Sequence, residues 1–155
     1  MIYWFTGQPG HGKTVQANYL LSYLNDGMFT YKEAFHIDGD DLRALVQNQD
    51  YSRQGRENNI RLAQSIAKYL NNKGHDVVVS LVAPYRELRE EFKKDMNDSI
   101  IEIYVHTDEI RGREQFHTDY EAPTDRFIDL CTTDEDEIHT HKRLIDTLTR
   151  LESME

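Results

Sequence analysis

Cysteine, proline and long apolar runs are all scarce in this sequence. The 155 residues include one cysteine and three prolines, and the longest apolar runs span only a few residues. A single cysteine, Cys131, cannot form an internal disulfide, which favours a reducing, cytoplasmic location. Runs this short exclude a membrane-spanning helix. The N-terminal segment MIYWFTGQPG also lacks the basic start and long apolar core of a signal peptide.

Positive charge is scarce as well. Lysine and arginine total 18 against 28 aspartate and glutamate residues, so the formal net charge is −10. This balance disfavours binding to DNA or RNA, although a local cluster of donors can still hold a small anionic ligand. With 38% hydrophobic and 30% charged residues and no Ser/Gly/Pro-rich linker, the chain is expected to form one globular domain over residues 1–155.

Short apolar runs alternate with amphipathic segments along the chain. The pattern predicts strands over residues 1–6, 34–37, 76–82, 99–105 and 126–131, and helices over residues 13–25, 40–47, 56–72, 84–94 and 134–151. Such alternation is typical of an α/β fold with a mostly parallel five-stranded sheet flanked by helices. The helical residues expected to face the core are Ala17, Leu20, Leu21, Leu24, Ile60, Ala63, Ala67, Leu70, Ile138, Leu144, Ile145 and Leu148.

A glycine-rich segment joins the first predicted strand to the first predicted helix. It matches the pattern G-x-x-x-x-G-K-[ST] through Gly7, Gln8, Pro9, Gly10, His11, Gly12, Lys13 and Thr14. Glycines let successive backbone N–H groups point at phosphate oxygens, and the helix N-terminus adds partial positive charge. We expect Lys13 to reach the β- and γ-phosphates and the Thr14 hydroxyl to ligate Mg²⁺. The motif thus predicts a three-layer fold of the P-loop NTPase type.

The same loop bears on which nucleotide binds. No NKxD-type guanine-reading motif is present, so ATP is favoured over GTP. His11 occupies a variable position of the loop. Because the surrounding backbone binds the phosphates, His11 is interpreted as a tolerated polar residue rather than a catalyst.

Two aspartates follow the second predicted strand. Residues two apart on an extended segment point the same way, so Asp38 and Asp40 can converge at the sheet edge where parallel α/β proteins bind ligands. One carboxylate is a candidate for holding Mg²⁺ through water, and the other for accepting a proton from an attacking hydroxyl. If a helix begins near Asp40, Arg43 lies one turn later and can grip an anion. The alternative is an Asp-rich turn that caps a helix.

The helix predicted from Arg56 starts its core-facing stripe with polar residues. Extending the apolar stripe backwards at helical spacing reaches Asn59 and Arg56. An arginine in such a position must be paired, solvated or bound to an anion. Both side chains are therefore candidates for contacts to an acceptor substrate. The alternative is a structural ion pair of Arg56 with Asp38 or Asp40.

Several segments together resemble the adenylylsulfate kinase family. After the phosphate loop come HIDGDDLR, YSRQGRENNIR and SLVAPYR, in the order and near the spacing of the family's L-D-G-D-x-x-R, [FY]-S-x-x-x-R-x-x-N-I-R-R and S-[FY]-I-S-P-[YFH]-R. The resemblance resumes in IEIYVHT and FHTDYEAP. It implies an enzyme of sulfate assimilation that transfers the γ-phosphoryl group of MgATP to the ribose 3′-hydroxyl of adenosine 5′-phosphosulfate.

The resemblance also implies roles for residues at matching positions. Lys13, Asp38 and Asp40 become catalytic, and Thr14 and Asp38 become the metal-side residues. The nucleotide-binding residues implied beyond the phosphate loop are Arg111 and Thr132. The implied substrate-binding residues are Asp40, Arg43, Tyr51, Arg56, Asn59, Val82, Ala83 and Phe116. In this scheme Phe116 and Tyr51 hold the adenine between two rings, and the alternatives are a loop anchor for Phe116 and a core position for Tyr51.

Two positions depart from the family pattern. Ala83 replaces a serine that is phosphorylated in some members, so it cannot carry a phosphoenzyme, although in-line transfer needs none. Where the family has a long cationic lid, only residues 108–115 (DEIRGREQ) are present, without a lysine. Either Arg111 and Arg113 replace the positive charge of the lid, or they are solvated surface residues.

These observations predict a kinase that uses ATP and Mg²⁺. Its expected partners are small-molecule nucleotide substrates, without a nucleic acid or a membrane, and the family resemblance suggests a homodimer. Adenylylsulfate kinase is the leading hypothesis. The alternatives are a kinase of the same scaffold that acts on another nucleotide or small hydroxylated metabolite, and an ATP-binding module without turnover.

Overall fold

A single parallel sheet organises the molecule. The computed structural model describes residues 1–26, 33–113 and 119–153. Its five-stranded sheet has the order β2-β3-β1-β4-β5, and all neighbouring strands are parallel. The strands are β1 (Ile2–Thr6), β2 (Phe35–Asp38), β3 (Val77–Ser80), β4 (Ile100–His106) and β5 (Phe127–Cys131). The α/β prediction is confirmed, and the carboxyl ends of the strands meet at one edge, where ligands bind in such sheets.

Helices connect the first four strands in chain order, and a last helix follows β5. They are α1 (Lys13–Asp26), α2 (Gly39–Leu45), α3 (Arg53–Asn72), α4 (Arg86–Met96) and α5 (Glu137–Glu152), with a short 3₁₀ turn over Asn97–Ser99. Within the described part of the chain, no helix is both long and apolar enough to cross a membrane.

The helix starts differ from the predicted ones by a few residues, for local reasons. The hydroxyl of Ser52 accepts a hydrogen bond from the Gly55 N–H, so α3 begins at Arg53, before Arg56. The expectation that Pro84 opens α4 is wrong, because Tyr85 is still extended and Arg86 is the first helical residue. The carboxylate of Asp136 caps α5 by accepting from two backbone N–H groups.

The sheet separates two apolar clusters. One lies between the sheet and helices α3 and α4, and the other lies between the sheet and helices α1 and α5. The residues of β1 alternate between them, with Ile2 and Trp4 in the first and Tyr3 and Phe5 in the second. The predicted inward residues lie in these clusters or pack against them, except for Ile138. Ile138, in the first turn of α5, is 68% exposed and lies in neither cluster, so the expectation that it faces the core is wrong.

Arg89, Lys93 and Glu102 form a buried charge cluster between α4 and β4. Arg89 Nε lies 2.7 Å and Lys93 Nζ lies 2.6 Å from the carboxylate of Glu102, and none of the three side chains is more than 3% exposed. Arg89 also donates to the backbone oxygens of Ala83 and Glu121. These contacts hold the segment after β3 against the segment before β5.

Candidate functional site

The phosphate loop leaves β1 and leads directly into α1, as the motif predicts. Gly7 has a φ of 146°, and a Cβ there would lie 2.1 Å from the backbone oxygen of Val105, so only glycine fits. Lys13 is buried, and its Nζ donates a 2.8 Å hydrogen bond to the backbone oxygen of Gln8. Burial lowers the pKa of Lys13 to about 8. The lysine ammonium is therefore aimed into the loop.

Asp38 joins the phosphate loop to the second strand. Its Oδ2 accepts hydrogen bonds from Thr14 Oγ1 at 3.2 Å and from Ser80 Oγ at 2.9 Å. Its Oδ1 accepts from the backbone N–H of Asp40 at 2.9 Å and so caps α2. Asp38 therefore caps α2 and also contacts Thr14 of the phosphate loop, so both interpretations of this residue are compatible. A Cβ at Gly39 would lie 2.8 Å from the Leu81 Cβ, which keeps this turn tight.

Asp40 occupies the first turn of α2 and is exposed to the cleft beside the phosphate loop. Its carboxylate and that of Asp38 act on Lys13 electrostatically, and both oppose the lowering of the lysine pKa. Both aspartates line the same cleft as Lys13, so they lie at one edge of the sheet, as their spacing predicts. Asp40 is available to a ligand in the cleft.

Arg43 and Tyr51 form one wall of this cleft. The guanidinium carbon of Arg43 lies 4.4 Å from the centre of the Tyr51 ring, and Arg43 Nη1 donates to the backbone oxygen of Asp50 at 2.9 Å. Tyr51 is 65% exposed, so the alternative of a core position for it is wrong. One face of its ring is covered by Arg43.

Arg56 and Asn59 lie on the core-facing side of α3, as their spacing predicts. Arg56 Nη1 lies 3.2 Å and 3.3 Å from the two carboxylate oxygens of Asp119, which sequence analysis did not single out as its partner. Asn59 is buried and its Nδ2 donates to the Gly39 backbone oxygen at 3.2 Å. Within the described residues, Asn59 Oδ1 has no hydrogen-bond partner. Such a buried acceptor is costly unless a ligand or water donates to it.

The segment after β3, residues 81–84, forms another wall of the cleft. The backbone oxygen of Val82 accepts a 2.8 Å hydrogen bond from Thr6 Oγ1, and Thr6 Oγ1 also lies 3.0 Å from the Tyr120 hydroxyl. Ala83 is buried with a φ of 43°, an uncommon conformation for a residue other than glycine. Arg89 donates a hydrogen bond to the backbone oxygen of Ala83. Hydrogen bonds from Thr6 to Val82 and from Arg89 to Ala83 therefore fix the backbone of this segment.

These side chains surround a cleft of about 440 Å³ next to the phosphate loop. Seven of the eight expected substrate-binding residues line it. They are Asp40, Arg43, Tyr51, Arg56, Asn59, Val82 and Ala83. The eighth, Phe116, lies outside the described residues, as does His117. We call this space the acceptor cleft.

A second cleft of about 420 Å³ lies on the other side of the phosphate loop, and we call it the nucleoside cleft. Its walls include His11, Arg111 and Thr132, all expected to bind the nucleotide. Arg111 donates to the backbone oxygens of Gly10 and Thr132, each at 3.4 Å. The exposed Ile138 lines this cleft as well. Arg113, by contrast, lines the acceptor cleft.

The donor set beside the loop fits a hard divalent cation. Thr14 Oγ1 and Asp38 Oδ2 are 3.2 Å apart, and both are oxygen donors of the kind that Mg²⁺ prefers. Mg²⁺ usually takes few protein ligands and completes its shell with waters and substrate phosphates. Thr14 and Asp38 would thus hold the cation next to phosphates bound by the loop.

Three contributors to the site were not found from the sequence. Ser80 is a polar residue that ends a buried valine run, and its pairing with Asp38 depends on the register of two distant strands. Asp119 and Arg89 act through contacts more than 30 residues away in the chain. The apolar-to-polar change at the end of β3, and the match of Ser80 to the first serine of the family's S-[FY]-I-S-P pattern, were the signals that could have pointed to it.

The fold and the loop define a P-loop kinase scaffold, with a phosphate-binding loop between two clefts. The adenylylsulphate kinase family model matches residues 1–124. The chain therefore belongs to the adenylylsulphate kinase family.

Individual relatives differ in what they are named for. An adenylyl-sulfate kinase from Picosynechococcus is 31% identical, with 87% of this chain and 85% of that protein covered. A cytidine diphosphoramidate kinase from Campylobacter jejuni is 33% identical, but the match covers 69% of this chain and 61% of that protein. Among solved structures, the APS kinase CysC of Mycobacterium tuberculosis superimposes with a TM-score of 0.74, 27% identity and 96% coverage of both chains.

Proposed function

We propose that the protein transfers the γ-phosphoryl group of ATP to the ribose 3′-hydroxyl of adenosine 5′-phosphosulfate, in the cytoplasm. The observation that carries the proposal is the pairing of a phosphate loop with a cleft lined by two carboxylates, three arginines and a buried amide. A protein that only binds ATP does not need the charged and polar side chains of the acceptor cleft. Membership of the adenylylsulphate kinase family supports the same acceptor.

On the donor side, the nucleoside end of ATP would lie in the nucleoside cleft and its phosphates would enter the loop. Lys13, whose Nζ is 2.8 Å from the Gln8 oxygen, would exchange this contact for the β- and γ-phosphates. Arg111 borders both the loop and Thr132, so it would cover the nucleotide from outside. Mg²⁺, held through Thr14 and Asp38, supplies neutralisation of the phosphate charge.

On the acceptor side, the anionic group of the substrate would bind between Arg43 and Arg56. Asn59 Oδ1, which has no partner within the described residues, would accept from a hydroxyl or amino group of the substrate. Tyr51 offers an exposed ring edge and face to a base. The acceptor hydroxyl is then directed toward the phosphate loop.

Asp40 would orient the attacking hydroxyl and take its proton. The hydroxyl oxygen forms a bond to the γ-phosphorus while the bond from that phosphorus to the bridging oxygen of ADP breaks. The products are ADP and the 3′-phosphorylated acceptor. Positioning and charge neutralisation supply most of the rate in such a transfer, so the spacing of Lys13, Asp38 and Asp40 matters more than any covalent chemistry.

The test is a transfer assay with the purified full chain, γ-labelled ATP and a panel of acceptors. We expect label to move to the 3′-position of adenosine 5′-phosphosulfate. Adenosine 5′-phosphosulfate that already carries a 3′-phosphate is the matched negative control. Transfer to another acceptor in preference to this one overturns the proposed substrate.

A second candidate is a kinase that acts on another nucleotide with an anionic tail. The relative named cytidine diphosphoramidate kinase favours it, together with the short 108–115 segment where the family has a long lid. Asn59 Oδ1 would suit an amide N–H at the end of such a tail. The same panel, with cytidine diphosphoramidate included, decides between the two. ATP binding without transfer to any acceptor would instead support an ATP-binding module without turnover.

A further inference from the structure

A chain of hydrogen bonds links His36 to Asp38 through Ser80, which lines the acceptor cleft together with Asp38. His36 Nε2 lies 2.8 Å from Ser80 Oγ, and Ser80 Oγ donates to Asp38 Oδ2 at 2.9 Å. Thr14 Oγ1 donates to the same carboxylate oxygen at 3.2 Å. The chain therefore ends on the oxygen that faces the phosphate loop.

Strand register explains why the three side chains meet. Asp38 of β2 pairs with Ser80 of β3, and His36 precedes Asp38 by two residues. Residues two apart on a strand share a face, so His36, Asp38 and Ser80 all lie on one side of the sheet. Ile37, between the two polar residues of β2, belongs to the apolar cluster on the opposite side.

The direction of the hydrogen bonds follows from the number of protons available. A serine hydroxyl has one proton, and an ionised carboxylate can only accept. Since Ser80 donates its proton to Asp38, the contact between Ser80 and His36 requires the N–H to be on His36 Nε2. Ser80 is 2% exposed, so water cannot easily take the place of His36.

We propose that His36 and Ser80 are positioning residues for Asp38. His36 orients the Ser80 hydroxyl, and Ser80 fixes the rotation of the Asp38 carboxylate so that Oδ2 stays beside Thr14. The backbone N–H of Asp40 holds the other oxygen at 2.9 Å. With both oxygens fixed, the carboxylate is preorganised for a cation that arrives with ATP, rather than having to turn toward it.

This inference rests on the proposed role of Asp38 at the cation, and its test can be read without any acceptor. The affinity of the full-length protein for ATP is measured by calorimetry in EDTA and at increasing Mg²⁺, in variants His36→Leu, His36→Gln and Ser80→Ala. The Nε2 of glutamine can donate near the position of the imidazole Nε2, whereas leucine cannot. His75→Leu is the matched control, since His75 contacts the Glu33 carbonyl instead.

We expect His36→Leu and Ser80→Ala to raise the Mg²⁺ concentration for half-maximal tightening of ATP by about tenfold, the usual effect of removing a partner of a metal-holding side chain. ATP affinity in EDTA stays unchanged, His36→Gln restores most of the Mg²⁺ effect, and His75→Leu behaves as the parent. The double variant should be no worse than either single one, because both break one chain.

Thermal unfolding of each variant shows whether it is folded. If folded His36→Leu keeps the Mg²⁺ response of the parent, or if His36→Gln is as impaired as His36→Leu, the positioning role is overturned. Because these readouts need only ATP and Mg²⁺, they hold even if the acceptor proves to be another compound. Failure of the proposed function would appear only in the transfer assay.

Discussion

At the scale of single residues, the acceptor cleft depends on where two carboxylates sit relative to the phosphate loop. The Asp38 carboxylate accepts hydrogen bonds from Thr14, Ser80 and the backbone N–H of Asp40, whereas the Asp40 side chain is exposed to the cleft. The two residues share a sequence motif but have different surroundings. Under the proposed function, Asp38 would therefore hold the cation and Asp40 would accept the proton.

Replacing Asp40 by asparagine should remove the proton acceptor while keeping the size and the backbone hydrogen bond. We expect the turnover rate to fall by about 10²–10⁴-fold, the usual contribution of a general base. ATP affinity should stay unchanged, because the phosphate loop is intact. The check is steady-state transfer together with calorimetric ATP binding. Asp41→Asn is the control, and a normal rate in Asp40→Asn would rule out the base assignment.

If Arg56 binds the acceptor as proposed, Asp119 would compete with the substrate for it. The pair is partly exposed, with 20% of the Arg56 and 46% of the Asp119 side chain accessible. We expect Asp119→Asn to lower the KM for an anionic acceptor by up to about fivefold, since exposed ion pairs contribute ~0–1 kcal/mol. The effect should shrink as salt is raised, because solvent-exposed charges are screened. Asp125→Asn serves as the control, and an increase in KM would mean that Asp119 orients Arg56 instead.

At the scale of elements, the ends of strands and the starts of helices carry the site. The carboxyl end of β2 is Asp38, and the next residue, Gly39, already begins α2. The segment between β3 and α4 has no regular secondary structure, and Ala83 within it has a φ of 43°. Arg89 of α4 secures this segment by donating to Ala83 and Glu121. Arg89 therefore connects this wall of the cleft to the buried charge cluster.

Substitutions at Arg89 should distinguish the contribution of its positive charge from that of its hydrogen bonds to two backbone oxygens. Arg89→Met leaves the Glu102 carboxylate partly unpaired in the core, and we expect a loss of about 3–5 kcal/mol in the free energy of unfolding. Arg89→Lys keeps the charge but cannot reach two carbonyls, so its loss should be smaller. Urea unfolding measures both. Arg61→Met, which breaks the surface pair with Glu91, is the control, and an equal loss in that variant would argue against a special role for Arg89.

At the scale of the whole molecule, local patterns predicted the order of elements and, apart from Ile138, the faces that α1, α3 and α5 bury. The phosphate loop and the pair of aspartates were also found, because each is specified within a few residues. Contacts between distant segments were not. Arg56 pairs with Asp119 and Asp38 with Ser80, and both depend on how strands and loops register in three dimensions. Ile138 was predicted to face the core from helical periodicity, which does not tell whether another element covers the first turn of a helix.

The two clefts on either side of the phosphate loop predict independent binding of ATP and acceptor. ATP at about 100 times its Kd should raise the Tm by about 5–10 °C for a chain of this size. Arg111 borders the nucleoside cleft and Arg43 the acceptor cleft. We therefore expect Arg111→Ala to reduce the shift with ATP only, and Arg43→Ala to reduce the shift with acceptor only. Thermal scans with each ligand alone and with both measure this. If saturating acceptor abolished the shift caused by ATP, the two ligands would share one cleft and the assignment of the two spaces would be wrong.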